Sequence, residues 1–171
     1  MPVTLYPTTC VDRDPAADTL VPHDPPAPDD LSYSLTLPAS RTSPAVARRA
    51  TAAILRAHAL HDMTDAAVQD MAELAACAWR FTPVEEVYAC LRYRCDALRV
   101  ILYDGHPRHT NPRLAAICDE RRRASLNLMA CVVRACVGEW GFDDAREPGG
   151  GTRMWAVLPR EGARAYGSPR P

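Results

Sequence analysis

This chain of 171 residues has no lysine and very little glycine in its first four fifths. All 20 basic residues are arginine, and the formal net charge is −1. A chain so close to neutrality has no overall field that would draw it onto nucleic acid or an anionic membrane. We therefore expect neither of these partners.

Long apolar segments and a basic leader are also missing. No run of about 18 apolar residues, the length that spans a bilayer, occurs in the sequence. The first residues contain neither a basic n-region nor an apolar h-region. The seven cysteines are an odd number, and most fall in helix-like segments, which favours reduced thiols over disulfides. These features predict a cytoplasmic protein.

The cysteine spacing argues against a metal site. Two pairs are each separated by four residues, which is wider than the usual spacing in structural zinc sites: Cys90 with Cys95, and Cys131 with Cys136. His106 and His109 are the histidines that could join them. Because buried cysteine is commonly a small hydrophobic residue, we predict no metal.

Composition divides the chain into three parts. Residues 1–30 contain seven prolines and six aspartates, which predicts a disordered arm. Residues 31–159 are long enough for one domain with a core of ordinary size. Residues 160–171 are polar and contain glycine and proline, which predicts a flexible tail.

The first half of the domain predicts a strand and two helices. Alternation over residues 33–37, before Pro38, indicates an edge strand. Ser43 as N-cap and Pro44 at the first helical position predict a helix over about 44–60. Its apolar stripe is expected at Val46, Ala50, Ala53, Ile54 and Ala57. A second helix follows Thr64 and contains both Glu73 and Cys77.

The second half predicts a hairpin, further helices and a last strand. Strands over 84–93 and 98–103 are joined by a tight turn at 94–97. A helical turn over 112–118 precedes an amphipathic helix with apolar residues at Leu126, Met129, Ala130, Val133 and Val137, which Gly138 helps to end. The last strand covers 154–158. The fold class predicted is α+β, a two-layer sandwich of a mixed, mostly antiparallel sheet with helices on one face.

Four segments in this order resemble the small ATP-binding domains of the histidine-kinase/gyrase/Hsp90 superfamily, specifically the bacterial anti-sigma-factor serine kinase branch. They read AELAACAWRF at 72–81, VILYDGHPRH at 100–109, RRRASLNLMA at 121–130 and GGGTRMWAVL at 149–158. The resemblance covers about residues 32–159 and implies the Bergerat-type ATPase fold. The lysine-free, alanine- and proline-rich composition also suggests a GC-rich bacterial coding sequence.

The resemblance gives the Glu73 helix a catalytic role. It makes Glu73 the base-like residue, and it places Cys77 where the family has the asparagine that binds magnesium. A thiol is a soft ligand, whereas magnesium demands hard oxygen donors, so we predict a badly weakened magnesium site. Without the resemblance, Glu73 is a solvated helix residue and Cys77 a core filler. A weaker alternative is that Cys77 is the reactive thiol of a sensor.

The adenine side of the site is expected at Asp104. There the family's aspartate accepts a hydrogen bond from the adenine amino group. The family glycines two and four positions later are His106 and Arg108 here, whose side chains would crowd the base. Gly105 is the only glycine before residue 138. Taken alone, Asp104 and Gly105 are an equally good turn signal.

The phosphate side departs further from the family. Arg123 and Ser125 stand where a phosphate-covering lid has glycines, whose backbone N–H groups face the phosphates. Thr152 keeps one expected hydroxyl, and Arg153 replaces a second threonine. The arginines at 121–123 could hold phosphate through side-chain charge, or they form a solvated face or a protein-contact patch.

Together these replacements predict that ATP turnover is lost and that neither ATP nor magnesium is a required cofactor. We expect a regulatory protein that binds a partner such as a sigma factor or an anti-anti-sigma-type protein. The alternative is an active serine/threonine kinase in which Glu73 helps to activate the substrate serine and Asp104 holds adenine. Family members often pair through their sheets and first helices, so the resemblance also allows a homodimer.

Overall fold

The computed structural model describes residues 24–107, 109–145 and 150–167, over which the chain forms five strands and five α-helices. In chain order they are β1 (Ser32–Pro38), α1 (Ser43–Ala57), α2 (Thr64–Phe81), β2 (Glu86–Arg94), β3 (Ala97–Asp104), α3 (Pro112–Ser125), α4 (Asn127–Ala135), β4 (Glu139–Asp144), β5 (Thr152–Pro159) and α5 (Arg160–Gly167). Most of the predicted arm, residues 1–23, lies outside the described residues, as do Arg108 and Gly149. The α+β class is confirmed.

The five strands form one sheet in the order β1-β2-β3-β5-β4, and every described pairing is antiparallel. The sequence predicted a mixed, mostly antiparallel sheet, but no parallel pairing is found among these strands. β1 lies at an edge, as its closing proline predicted. β2 and β3 are joined through Cys95 and Asp96, both with positive φ, as the type I′ two-residue hairpin turn requires. The predicted hairpin is confirmed.

Burial alternates along the three central strands. One face of the sheet belongs to the core, through Val87, Ala89, Leu91 and Tyr93 of β2, Leu98, Val100 and Leu102 of β3, and Met154, Ala156 and Leu158 of β5. The intervening side chains are half-buried or exposed. α2 supplies much of the remaining core through Ala67, Met71, Leu74, Ala75, Cys77 and Ala78. The sheet is thus apolar on one face and amphipathic on the other.

Because glycine is scarce, residues with side chains occupy the left-handed positions that follow two of the helices. α1 and α4 both close with a residue of left-handed φ after the helix, and these residues are Ala59 and Val137 instead of the favoured glycine. After α4, the Val137 N–H donates to the Arg134 carbonyl and the Gly138 N–H donates to the Val133 carbonyl at 2.9 Å. Gly138 therefore helps to end this helix as predicted, although the left-handed position belongs to Val137.

The apolar stripe predicted for α1 is wrong by about one position. The buried residues are Ser43, Ala47, Thr51 and Leu55, whereas Val46 is 49% exposed and Ala53 and Ala57 are also exposed. Alanines occur all round this helix, so periodicity alone does not identify the packed face. Ser43 is the first helical residue rather than the cap, and its hydroxyl donates to the Pro38 carbonyl.

Two segments predicted as irregular are helical, and a predicted helical turn is a longer helix than expected. Residues 28–30 of the expected arm form a short 3-10 turn. The predicted helical turn at 112–118 is a 14-residue helix, α3, whose N-terminus is capped by the Asn111 side chain. The expected flexible tail forms α5 over Arg160–Gly167, because both Arg160 and Arg164 donate to Asp62 Oδ2 at 2.9–3.1 Å, and Ala163 is buried. Among the described residues, no helix has the length and apolar character needed to cross a membrane.

Candidate functional site

The Asp104 carboxylate, at the end of β3, forms a buried ion pair. Arg122 Nη1 of α3 lies 2.7 Å from Asp104 Oδ2, and the two side chains are 3% and 0% exposed. The other carboxylate oxygen, Oδ1, accepts the His106 N–H at 3.0 Å. Both oxygens of the residue predicted to bind adenine are therefore occupied by donors from this chain itself.

The Arg122 guanidinium is enclosed by apolar groups. Its carbon lies 4.6 Å from the centroid of the Phe81 ring, and its Nη1 lies 3.0 Å from Met154 Sδ and 4.0 Å from Cys77 Sγ. A planar, delocalised cation is well suited to such a setting because it stacks on aromatic faces. Arg122 thus links α2, α3, β3 and β5 at one point.

The loop after Asp104 is held by hydrogen bonds within the chain. The Gly105 N–H donates to Thr82 Oγ1 at 3.1 Å, and Thr152 Oγ1 donates to the His106 carbonyl at 3.0 Å. A Cβ at Gly105 would lie 2.6 Å from a Val84 methyl. A side chain at Gly105 would therefore force Val84 to shift, and the buried Thr152 hydroxyl supports the backbone of the loop.

Gly151 also brings two backbones close together in this region. It has φ of +95°, and a Cβ there would collide with the Asp104 carbonyl oxygen. Only glycine allows this approach. The start of β5 is thereby held against the end of β3, where Asp104 pairs with Thr152 in the sheet register.

Glu73 and Cys77 do not share an open site. Glu73 is half-buried and accepts a hydrogen bond from Gln69 Nε2 at 3.0 Å, one turn away on α2. Cys77 is fully buried, and burial raises the pKa of its thiol in spite of the nearby Arg122 charge. A buried thiol with a raised pKa is poorly reactive, which disfavours the sensor alternative for Cys77.

Arg123 and Ser125 lie on the last turn of α3, not on a loop. Arg123 is exposed, and its guanidinium carbon lies 5.2 Å from the centroid of the Phe142 ring. Ser125 Oγ accepts from Arg80 Nη1 at 3.2 Å. Of the three arginines at 121–123, only Arg121 and Arg123 reach the surface, so the predicted patch contains two charges instead of three.

Sequence reasoning missed Arg122 as the partner of Asp104. The triple arginine was visible, but its pattern could not say which of the three side chains turns inward. In the structure, Cys118 and Arg122 are four residues apart on α3, so both lie on the helix face that meets the loop containing His106. The sequence alone does not show with which residue a buried arginine pairs.

A second buried carboxyl, Asp70 on α2, was also missed. Its side chain is fully buried, and neither carboxylate oxygen has a hydrogen-bond partner within the described part of the chain. Burial, with a smaller contribution from Glu73, raises the pKa of Asp70 to about 8. A signal was present, because Asp70 falls on the apolar stripe between Ala67 and Leu74.

Two clefts flank the Asp104 and Arg122 pair. One, of about 580 Å³, is lined by residues that include Arg80, Phe81, His106, Cys118 and Arg121. The other, also about 580 Å³, lies by the sheet end, where its lining includes Tyr88, Tyr103, Gly105 and Gly150. Asp104 itself lines this second cleft, but its side chain is 0% exposed, so the carboxylate is not open to a base there.

No protein-family model matches this chain, and no curated protein matches it significantly.

Proposed function

We propose that this protein is a regulatory binding module built on a Bergerat-type two-layer fold, with helices on one face of the sheet, and that it acts by protein contact without turning over ATP. The partner class implied by the resemblance is a sigma factor or an anti-anti-sigma-type protein. The observation that carries the proposal is the buried ion pair between Arg122 and Asp104.

The ion pair opposes nucleotide binding energetically. For adenine to reach the Asp104 carboxylate, which is buried, the surrounding side chains would have to open and Arg122 would have to move away from its ion-pair partner. Separating such a pair costs about 3–5 kcal/mol, which corresponds to a loss of affinity of roughly a hundred-fold to several thousand-fold. An ATP site in this position would bind weakly even if its remaining contacts were intact.

The phosphate side supports the same proposal. Cys77, at the position expected to hold magnesium, lies in the core and offers sulfur instead of oxygen. The segment that would cover the phosphates is the helix α3, which contains no glycine and whose first N–H groups, those of Arg113 and Leu114, donate to the Asn111 side chain. Backbone donors are therefore not available to cradle a triphosphate as in a glycine-rich loop.

The face of the sheet opposite the core offers a surface for a protein partner. Its half-exposed side chains are Tyr88 on β2, Ile101 and Tyr103 on β3, and Trp155 and Val157 on β5. Aromatic residues and arginine are enriched where proteins bind one another, and Arg99 and Arg153 border this surface. We propose this open face of the sheet as a contact surface in addition to Arg121 and Arg123.

Calorimetric titration of ATP and ADP with magnesium tests the proposal. We expect no saturable binding below about 1 mM nucleotide. Binding at micromolar strength, about −8 kcal/mol, would overturn it. Arg122→Ala frees Asp104, and Arg123→Ala is the matched control one residue away on the surface. Nucleotide affinity gained by the first variant and not by the second would identify the ion pair as the block.

Phosphate transfer separates this proposal from the kinase alternative. We expect no labelled phosphate to move from ATP to a protein encoded beside this one. Transfer that disappears in a Glu73→Ala variant would establish the kinase instead, with Glu73 in the base-like role.

A further inference from the structure

The loop after β3 and the helix α3 bring three metal-binding side chains together. His106 and His109 lie on the loop, and Cys118 lies on the second turn of α3. One ligand atom from each residue lies within 4.8 Å of the others, and His109 Nε2 lies 3.1 Å from Cys118 Sγ. The two imidazole rings meet edge to face with centroids 5.2 Å apart. All three side chains are half-buried.

The surroundings hold two of these ligands, His106 and Cys118, in place. The His106 backbone is bound on both sides, because its N–H donates to Asp104 Oδ1 and its carbonyl accepts from Thr152. The ring of His106 also meets the Phe81 ring edge to face, with centroids 6.1 Å apart. Asn111 caps α3 at its first turn and so positions the helix that contains Cys118. Ligands whose loop and helix are held in this way need little rearrangement to bind a metal.

We propose that His106, His109 and Cys118 form a three-ligand site for Zn²⁺. With usual zinc bond lengths and a tetrahedral angle, a nitrogen and a sulfur ligand lie about 3.5 Å apart. The observed distance between His109 Nε2 and Cys118 Sγ is 3.1 Å, so the two side chains would have to separate only slightly to reach that value. Two imidazoles and a thiolate suit zinc and disfavour magnesium and calcium, which take oxygen ligands.

The proposed site has an open fourth position. His106 and Cys118 line the cleft that also contains Arg80 and Arg121, so an ion held by them would be open to solvent on that side. Three protein ligands with water or substrate at the fourth position are the arrangement of catalytic zinc sites, whereas structural sites are closed by four protein ligands. Binding converts the Cys118 thiol to a zinc-bound thiolate and releases its proton to solvent, so affinity rises with pH.

The site would couple metal binding to the loop beside Asp104. A zinc ion held by His106, His109 and Cys118 ties the loop to α3 at one more point, close to the ion pair that Arg122 makes from the same helix face. The proposal stands independently of the regulatory function above, because it rests on the three ligands and not on nucleotide binding.

Titration of the full-length, reduced protein with Co²⁺, a spectroscopic substitute for Zn²⁺, tests the site. We expect one equivalent to produce a thiolate-to-cobalt charge-transfer band and the intense visible bands of tetrahedral cobalt, both removed by one equivalent of Zn²⁺. Zinc should raise the Tm, and Mg²⁺ at the same concentration should not. Absence of a saturable one-to-one band would overturn the proposal and leave the contact between His109 and Cys118 as a hydrogen bond only.

Variants assign the ligands. Cys118→Ser should abolish the charge-transfer band, and His109→Ala should weaken cobalt binding at least tenfold. Cys131→Ser, an exposed cysteine on α4, is the matched control and should bind as the parent does. Circular dichroism checks that each variant is folded. If Cys118→Ser does not fold, the cobalt affinity of His109→Ala tests the assignment. A charge-transfer band that persists in folded Cys118→Ser, or unchanged affinity in His109→Ala, would contradict the assignment.

Discussion

Among the described residues two aspartates are buried, and their surroundings are opposite. Asp104, at the end of β3, has an arginine 2.7 Å away and accepts a backbone N–H at its second oxygen. Asp70, on α2, has no hydrogen-bond partner at either oxygen within the described residues. Both side chains are inaccessible to solvent. The same chemical group is therefore held in the same core in two different ways.

The difference shows how a core accommodates a carboxyl group. At Asp104 a cation was buried with it, and the pair joins the sheet end to α3. At Asp70 nothing compensates the charge, so the group is most stable as a neutral acid, and burial raises its pKa to about 8. Its neighbour Cys136 responds in the same direction, since burial and the nearby Asp70 raise the pKa of that thiol to about 11. One site is a structural link, and the other is sensitive to protons.

Removing the cation at the first site should have the largest effect. Arg122→Met keeps most of the side-chain volume but leaves Asp104 buried without its partner. We expect the free energy of unfolding to fall by about 3–5 kcal/mol, measured by urea denaturation at neutral pH.

The matched control removes both charges. The double variant Arg122→Met with Asp104→Asn should be clearly more stable than Arg122→Met alone, because no unpaired charge remains buried. If the single and double variants unfold at the same urea concentration, the pair does not link the two elements as described.

The buried carboxyl group of Asp70 should make the stability of the protein depend on pH. The folded-state pKa of Asp70 is about 8 and its ordinary value is 3.8, so between these values the folded protein binds one more proton than the unfolded chain. The stability due to this group is therefore complete below pH 4. It falls by about 1.4 kcal/mol per pH unit as pH rises and levels off above pH 8.

Asp70→Asn should remove that slope, and Asp65→Asn, an exposed aspartate on the same helix, should leave it unchanged. Urea denaturation repeated from pH 5 to pH 7 measures both, and the parent should lose about 2.7 kcal/mol more than Asp70→Asn over this interval. Parallel pH profiles for the parent and Asp70→Asn would contradict the raised pKa.

An exposed ion pair sharpens the comparison and should have the smallest effect. Arg153 donates to both oxygens of Asp143 at 2.9 and 2.7 Å, in side chains that are 42% and 48% exposed. Its geometry is at least as good as that of Arg122 with Asp104, but water screens it. We expect Arg153→Met to change the free energy of unfolding by no more than about 1 kcal/mol in the same urea assay. A loss as large as that of Arg122→Met would mean that burial is not the deciding factor.

Local patterns predicted most of the secondary structure. The proline that ends β1, the tight turn at Cys95 and Asp96, and the glycine after α4 each act within a few residues, so the chain reveals them directly. The packed face of α1 was wrong because alanines lie on several faces. α5 was missed because its main anchors are the contacts of Arg160 and Arg164 with Asp62, about a hundred residues earlier in the chain.

The sequence by itself determined the order of most strands and helices, with β4 and α5 as the exceptions, because hydrophobic period, caps and turn residues are local. It also placed Asp104 at a strand end and made it a candidate for a binding role. Only the tertiary structure decided what that carboxylate binds, because the choice among three adjacent arginines depends on how α3 packs against α2 and the sheet. It likewise decided that Asp70 has no partner and that two loop histidines meet Cys118. Pairings between groups distant in the chain follow from packing geometry, which no local pattern contains.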